Sequence, residues 1–363
     1  MLLDPGRQHL HEPHPPGLRR AKVQDLPHLR DARGMNVPAP IALTGATGFL
    51  GSHIADALLA RGHAVRAAVR PTSNRRWIEG KDIDILTVDL NDRAECRAFL
   101  EGCHAVIHCA GVVTAPNEAA YRRANVETTE NLLAAADHLW QDPRAGHAFV
   151  FISSLAAHGP ASLDAPAREE NPARPISGYG RSKRAAEECI SAAPGAYRRV
   201  ILRPPSLYGP RDREFLPLFQ AALRGFTACL GRRLTGLSLV DGRDAADAAV
   251  ALLTCPAAEG VFFVDDGTGG YSMDALRQAL ESMANRKIRT LNVPLGFLKF
   301  LAGLPGHRAL GPLLNADRIR DLDTDGWVCD GSKLERTTGW RARRDAATGF
   351  TETVAFMKEH HWL

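Results

Sequence analysis

Ile41-Ala42-Leu43-Thr44-Gly45-Ala46-Thr47-Gly48-Phe49-Leu50-Gly51 runs from an apolar stretch into three glycines, and the apolar positions Ile54, Ala57 and Leu58 follow at helical spacing. The order predicts a strand, a tight turn and a helix. Each glycine has a separate use: one takes backbone angles that a Cβ forbids, another lets the chain approach a pyrophosphate, and the third lets helix and strand pack closely. The helix N-terminus then faces the phosphates. This context predicts a nucleotide site built from Gly45, Thr47, Gly48, Phe49, Leu50 and Gly51.

Outward from this turn, short apolar runs alternate with helix-patterned stretches. Ala64 to Val69, Ile83 to Val88, Ala105 to Cys109, Ala148 to Ile152 and Arg199 to Arg203 read as strands, and Gly51 to Arg61, Ala119 to Trp140 and Tyr179 to Ala192 as helices. Apolar strands separated by helices predict an α/β fold, a doubly wound parallel sheet covered on both faces. The rhythm changes after Pro204. We therefore expect a nucleotide-binding domain over 39–205 and a smaller, mainly substrate-binding region over 206–363, with a strand near 261–264 returning to the sheet.

Tyr179 and Lys183 stand four residues apart, on one face of a helix whose pattern continues through Ala186 and Ile190. A free tyrosine has a pKa of about 10, so it transfers protons poorly near neutrality unless a cation stabilises the phenolate. Lys183 is spaced to do that. The apolar run Val150-Phe151-Ile152 ends in Ser153-Ser154, so a strand end carries hydroxyls ahead of that helix. His53, His104, His108 and His158 have no metal-ligand spacing and read as structural, so no metal site is expected.

The turn pattern T-G-x-x-G-x-x-G has two residues between its first and second glycines, where the common dinucleotide fingerprint has one. In this the chain resembles the extended short-chain dehydrogenase/reductase family, also described as the NAD-dependent epimerase/dehydratase family, whose fold is of the Rossmann type. Further matches follow in order. Asp89-Leu90 resembles the adenine-contacting pair, His108-Cys109-Ala110-Gly111 the segment under the nicotinamide ribose, with Ala110 and Gly111 as its contacts, Asn125 the helix-start asparagine of the catalytic set, and Pro205-Ser206 the turn from the sheet into the substrate region. The resemblance implies that Tyr179 is the proton-transfer residue, that Lys183 also bonds the ribose hydroxyls, and that Ser154 hydrogen-bonds the substrate oxygen, with Ser153 the alternative one register away. It also implies a homodimer pairing the helices around 125–140 and 179–192, where Leu132, Leu133 and Ala136 form an apolar stripe that equally suits a core.

The end of the second strand bears on the cofactor. An acid about 20 positions after the glycine turn bonds the adenosine ribose in NAD-specific folds. Arg70 stands there instead, 19 residues after Gly51, so NADP is the expected preference, with NAD also accepted. The substrate follows from departures from the family. The nucleotide-sugar epimerases usually have asparagine where Ser206 stands and a diphosphate-gripping arginine near Leu237, and the dehydratases have a Thr-Asp-Glu run where Ser154-Leu155-Ala156 stands. The resemblance is therefore nearest the dihydroflavonol-reductase and hydroxysteroid-dehydrogenase branch, with Pro294 to Leu304 as a lining for an apolar substrate. Nucleotide-sugar epimerisation is the alternative, and a non-catalytic NAD(P)H sensor a third reading.

Composition bounds the rest. The 363 residues carry 45 Lys and Arg against 41 Asp and Glu, a formal +4 with no strongly basic face to hold nucleic acid. Seven scattered cysteines, without a C-x-x-C pair, fit a reduced, cytoplasmic protein. Val293 to Leu304 falls far short of the roughly 20 apolar residues of a membrane span. Residues 1–38, rich in proline and histidine and without apolar periodicity, read as a disordered extension, with Met35 just ahead of an ordinary start.

Overall fold

Ile41–Thr44 forms the first strand, β1, buried along its whole length, and the glycine turn carries it into helix α1 at Phe49–Ala60. The computed structural model describes residues 39–230, 235–294, 296, 320–321 and 323–363. The expectations for residues 1–38 and for most of Pro294 to Leu304 lie outside the described residues.

Next along the chain come β2 (Val65–Val69), β3 (Ile83–Thr87), α2 (Arg93–Leu100) and β4 (Ala105–His108). The long helical stretch is α3 (Glu118–Tyr121), a π-turn at Arg122–Glu127, and α4 (Thr128–Leu139). Then follow β5 (Ala148–Ile152), α5 (Gly178–Ala192) and β6 (Arg198–Arg203). Beyond it lie β7 (Ser206–Tyr208), α6 (Leu216–Leu223), β8 (Phe226–Leu230), β9 (Gly236–Leu237), β10 (Leu239–Asp241), α7 (Gly242–Thr254) and β11 (Gly260–Phe263). The described chain closes with β12 (Tyr271–Ser272), α8 (Met273–Ala284), β13 (Arg289–Val293), β14 (Gly326–Trp327), α9 (Ser332–Thr338) and α10 (Ala346–Glu359).

Seven parallel strands in the order β11-β6-β5-β4-β1-β2-β3 make the central sheet. Side chains alternate between its faces, so β1 sends Ile41 and Leu43 to one core and Ala42 to the other. The first core is completed by Ile54 and Leu58 of α1 and Ala245, Ala249 and Leu252 of α7, and the second by Phe99 of α2, Leu132 and Ala136 of α4 and Ile190 of α5. Helices on both faces explain why β2, β4 and β5 are buried along their whole length and mainly apolar rather than alternating. Strand order reverses between β1 and β4, which opens the crevice where doubly wound sheets bind ligands.

Three features differ from the sequence reading. Leu132, Leu133 and Ala136 are buried in the second core, so that stripe is spent within the chain and is not a surface for a second copy. Asn125 does not start a helix. It lies in the π-turn, while Asn117 caps α3 by accepting from Ala120 N–H at 2.9 Å. Asn125 instead clamps Val112, accepting from its N–H at 2.8 Å and donating to its carbonyl at 3.0 Å. Lastly, α7 packs on α1 in the first core, so residues well past 205 complete the sheet's cover. Another core, formed by Tyr208, Phe219, Leu239, Leu280, Phe350 and Met357, holds the remaining helices α6, α8 and α10 together.

Candidate active site

The glycine turn works by close approach. Gly45 has φ +74, and a Cβ there would fall 2.8 Å from Ala110 N, so the turn lies directly against the loop leaving β4. A Cβ on Gly51 would sit 2.0 Å from the Gly45 carbonyl oxygen, so only glycine lets α1 begin this close to the turn. Gly48 caps α1 without a side chain, is exposed, and leaves the helix N-terminus covered by backbone alone. An anionic pyrophosphate fits such a surface, since the first N–H groups of a helix lack intrahelical partners. Thr47 is half-buried beside it.

His108 ties β1, β4 and the π-turn together. Ala110 N–H donates to Thr44 Oγ1 at 3.0 Å, and that hydroxyl lies 2.7 Å from His108 Nδ1. On the other side, His108 Nε2 lies 3.1 Å from Thr129 Oγ1, which donates to the Asn125 carbonyl at 2.8 Å. Because Thr129 spends its proton on Asn125, it accepts from Nε2–H, and Nδ1 accepts from Thr44. The ring is therefore neutral, in keeping with burial pushing its pKa down to about 3. Asn125 Nδ2 further donates to Ser182 Oγ at 2.9 Å, and Ser182 donates to the Tyr179 carbonyl at 2.7 Å.

At the C-terminal ends of these strands a cavity of about 650 Å³ opens. Ser154, Tyr179, Lys183 and Gly111 stand on its wall with Phe49, Leu50, Pro205 and Ser206, so the sequence-predicted catalytic residues other than Asn125 come together there. Ser154 Oγ accepts from Ala156 N–H at 3.1 Å, which leaves its own proton to donate. Ser153 turns its hydroxyl to Glu187 at 2.5 Å. Lys183 is buried, donates to the Ile152 carbonyl at 2.8 Å and lies 4.6 Å from the Phe151 ring centre. Burial pushes its pKa down to about 8, against the opposing pull of Cys109 and Glu187. Tyr179 is half-buried, its ring 6.5 Å from that of Tyr121.

Outside this wall, Arg70 is exposed at the end of β2, with its N–H donating to Ser73 Oγ. Asp89 is exposed too, and two hydrogen bonds from Asn91 hold its carboxyl below the usual range. Leu90 packs partly into the second core, and its carbonyl accepts from Asn131. Cys109, in the segment read as passing under the nicotinamide ribose, is on the wall too, and sequence reasoning missed the wall residues Val113, Asp212, Glu214, Asp321 and Trp327. The last two come from a region without periodicity, and Trp327 Nε1 donates to the Asp321 carbonyl at 2.7 Å. Among the described residues, no group of three or more His, Cys, Asp or Glu side chains could hold a metal ion, and no helix is long and apolar enough to cross a membrane.

Known proteins are similar to this chain over most of its length. A ceramide reductase of Caulobacter vibrioides is 28% identical over 347 residues, which cover 92% of this chain and 97% of that protein. A UDP-glucose 4-epimerase of Vibrio cholerae is 28% identical over 341 residues, 90% of this chain and 98% of its own length. Among solved structures, a UDP-glucuronic acid 4-epimerase from Bacillus cereus, in complex with UDP-glucuronic acid and NAD, superposes with a TM-score of 0.70 at 20% identity, covering 88% of this chain and 99% of that one, a likeness of fold. Residues 41–263, from the first strand to the last of the central sheet, match the model of the NAD dependent epimerase/dehydratase family, and the chain belongs to that family of enzymes.

Proposed function

We propose that the chain interconverts a carbonyl and a secondary alcohol on an uncharged, largely apolar substrate, with Tyr179 as acid and base. The observation that carries this is the meeting of Ser154, Tyr179, Lys183 and Gly111 on one cavity wall. A nicotinamide cofactor bound along Gly45 to Gly51 and Gly111 supplies or takes the hydride. In the reducing direction Ser154 donates a hydrogen bond to the carbonyl oxygen, and Tyr179 gives it the proton. The Lys183 ammonium stabilises the phenolate left behind. Asn125 acts at one remove, through its clamp on Val112 and its bond to Ser182.

The wall argues for a neutral substrate. Among its described residues Lys183 is the one cation, against the carboxyls of Asp212, Glu214 and Asp321, and Leu237 stands where epimerases carry a diphosphate-gripping arginine. The ceramide reductase of Caulobacter vibrioides, whose length this chain spans almost entirely, supports a lipid carbonyl. Nucleotide-sugar epimerisation stays as the rival because an epimerase is equally similar over its whole length. Incubation with 2-decanone, acetophenone, an N-acyl amino ketone of ceramide type and UDP-glucose, with cofactor absorbance and sugar analysis read in parallel, decides between them. Turnover of a ketone supports the proposal, and epimerised UDP-glucose with no ketone turnover overturns it.

NADPH is the preferred cofactor in this proposal, because Arg70 is exposed at the end of β2, makes no ion pair with a described residue, and has a guanidinium that can bond a 2′-phosphate in two places. The compartment is the cytoplasm, in line with six free cysteines among the described residues. A homodimer pairing the helices around 125–140 and 179–192 is part of this proposal by family resemblance, and light scattering at micromolar concentration tests it: the mass of one chain removes it.

A further inference from the structure

Three consecutive residues at the end of β5 face three different partners. The Ile152 carbonyl accepts from Lys183 Nζ, the Ser153 hydroxyl donates to Glu187 Oε1, and Ser154 stands on the cavity wall. Glu187 lies one helical turn beyond Lys183 in α5, and its side chain is 1% exposed. Arg203, the last residue of β6 and 3% exposed at its side chain, grips the same carboxylate in two places, Nε to Oε1 at 2.8 Å and Nη2 to Oε2 at 2.6 Å. Arg184 Nη1 reaches Glu187 Oε2 at 3.4 Å from the outer side. Immediately after Arg203 the chain becomes the wall at Pro204, Pro205 and Ser206, and Leu155 N–H donates to the Pro204 carbonyl at 2.8 Å.

The reacting groups therefore come from α5 and the end of β5, and one buried charge pair joins both to the end of β6. We propose that Glu187 and Arg203, with Ser153, form a positioning device that fixes α5 against the ends of β5 and β6, so that Tyr179 and Lys183 face Ser154. This rests on the reading of Tyr179, Lys183 and Ser154 as the reacting groups. Apolar packing alone lets a helix slide on a sheet, whereas a bidentate guanidinium fork sets both distance and angle. Taking two charges out of water is costly, and apolar residues of similar volume often hold a fold as well or better. Geometry is what this pair adds. Its carboxylate also faces the Lys183 ammonium, alongside Cys109 and the neutral His108 ring, and favours the charged lysine.

Four full-length variants test the device, with the best ketone of the panel above as probe. Arg203→Lys keeps the charge and loses the fork. It should melt within a few degrees of wild type and keep its cofactor KM, while kcat falls by about 10- to 100-fold, the effect of misplacing reacting groups. The double variant E187M/R203M removes both charges and should regain more stability than Glu187→Gln alone, which leaves Arg203 uncompensated, yet its kcat should stay low. An Arg203→Lys variant with wild-type kcat, or a double variant that regains melting temperature and kcat together, overturns the proposal. Tyr179→Phe runs alongside: if it is inactive while Arg203→Lys is fully active, the positioning device alone fails, and if Tyr179→Phe itself turns over normally, the catalytic reading fails and takes this proposal with it.

Discussion

Tyr179→Phe keeps the ring beside Tyr121 and removes only the hydroxyl. Turnover should fall by at least roughly 100-fold, the low end for losing an acid-base group, with cofactor affinity within a few-fold because Lys183 and the glycine turn are untouched. Stopped-flow or steady-state rates check it, and retained turnover removes Tyr179 from the reaction. Arg70 makes the second test at this scale. Replacing it with Asp should weaken NADPH binding by about 1.5 to 3 kcal/mol, the scale of a charged hydrogen bond, while NADH binding is less affected or improves. Titration of both cofactors against both variants measures this, and equal weakening of the two shows that Arg70 does not read the phosphate. Asp89 is a poorer candidate for such a test, since its carboxyl is already engaged by Asn91.

At the scale of elements, the glycine turn gives the sharpest prediction. The Cβ of Gly51→Ala would fall 2.0 Å from the Gly45 carbonyl oxygen, and backbone, unlike a flexible side-chain tip, cannot swing aside. We expect a loss of about 1–3 kcal/mol of stability from overpacking and at least a roughly tenfold weaker cofactor, read by melting and by titration. Unchanged affinity would show that the turn does not carry the phosphates. These elements were legible because their cues are local: Gly45 to Gly51 is contiguous, and Tyr179 and Lys183 share a helix face by spacing alone. The π-turn was not legible, because it depends on Asn125 finding Val112, a partner 13 residues away whose backbone no helical pattern describes. Helix α7 was hidden by the irregular residues before it, and its place on α1 follows from tertiary packing of small residues such as Ala245 and Ala249. Glu187 and Arg203 carried a signal that went unused. Glu187 continues the four-residue spacing of Tyr179 and Lys183, but its partner is fixed only when β6 lies beside β5.

For the molecule as a whole, two buried histidines tie stability to pH. His53 Nε2 lies 2.8 Å from the Pro210 carbonyl, and burial pushes its pKa down to about 4, while His108 is pushed down to about 3 between its two threonines. Both join parts far apart in sequence, His53 linking α1 to the segment after β7 and His108 linking the sheet to the π-turn. In the unfolded chain each takes a proton near pH 6.5. Between that value and the native pKa the unfolded state binds more protons, so stability is full above about pH 6.5 and falls as the pH drops. At about 1.4 kcal/mol per pH unit, each withdraws about 3 kcal/mol by pH 4. Asp265 acts in the opposite sense: burial raises its pKa to about 6, so it protonates first in the folded chain and adds stability as the pH falls through that value. A single pH curve therefore mixes signs, and the difference between two proteins isolates one histidine. Denaturant titrations of wild type and His108→Asn at intervals from pH 7 to pH 4 should start apart, because the variant loses packing and hydrogen bonds, and then converge by about 3 kcal/mol as only the wild type forfeits the histidine contribution. Parallel curves would mean that His108 titrates alike in both states, and the neutral, directional chain from Ala110 through Thr44, His108 and Thr129 to Asn125 would have to be abandoned.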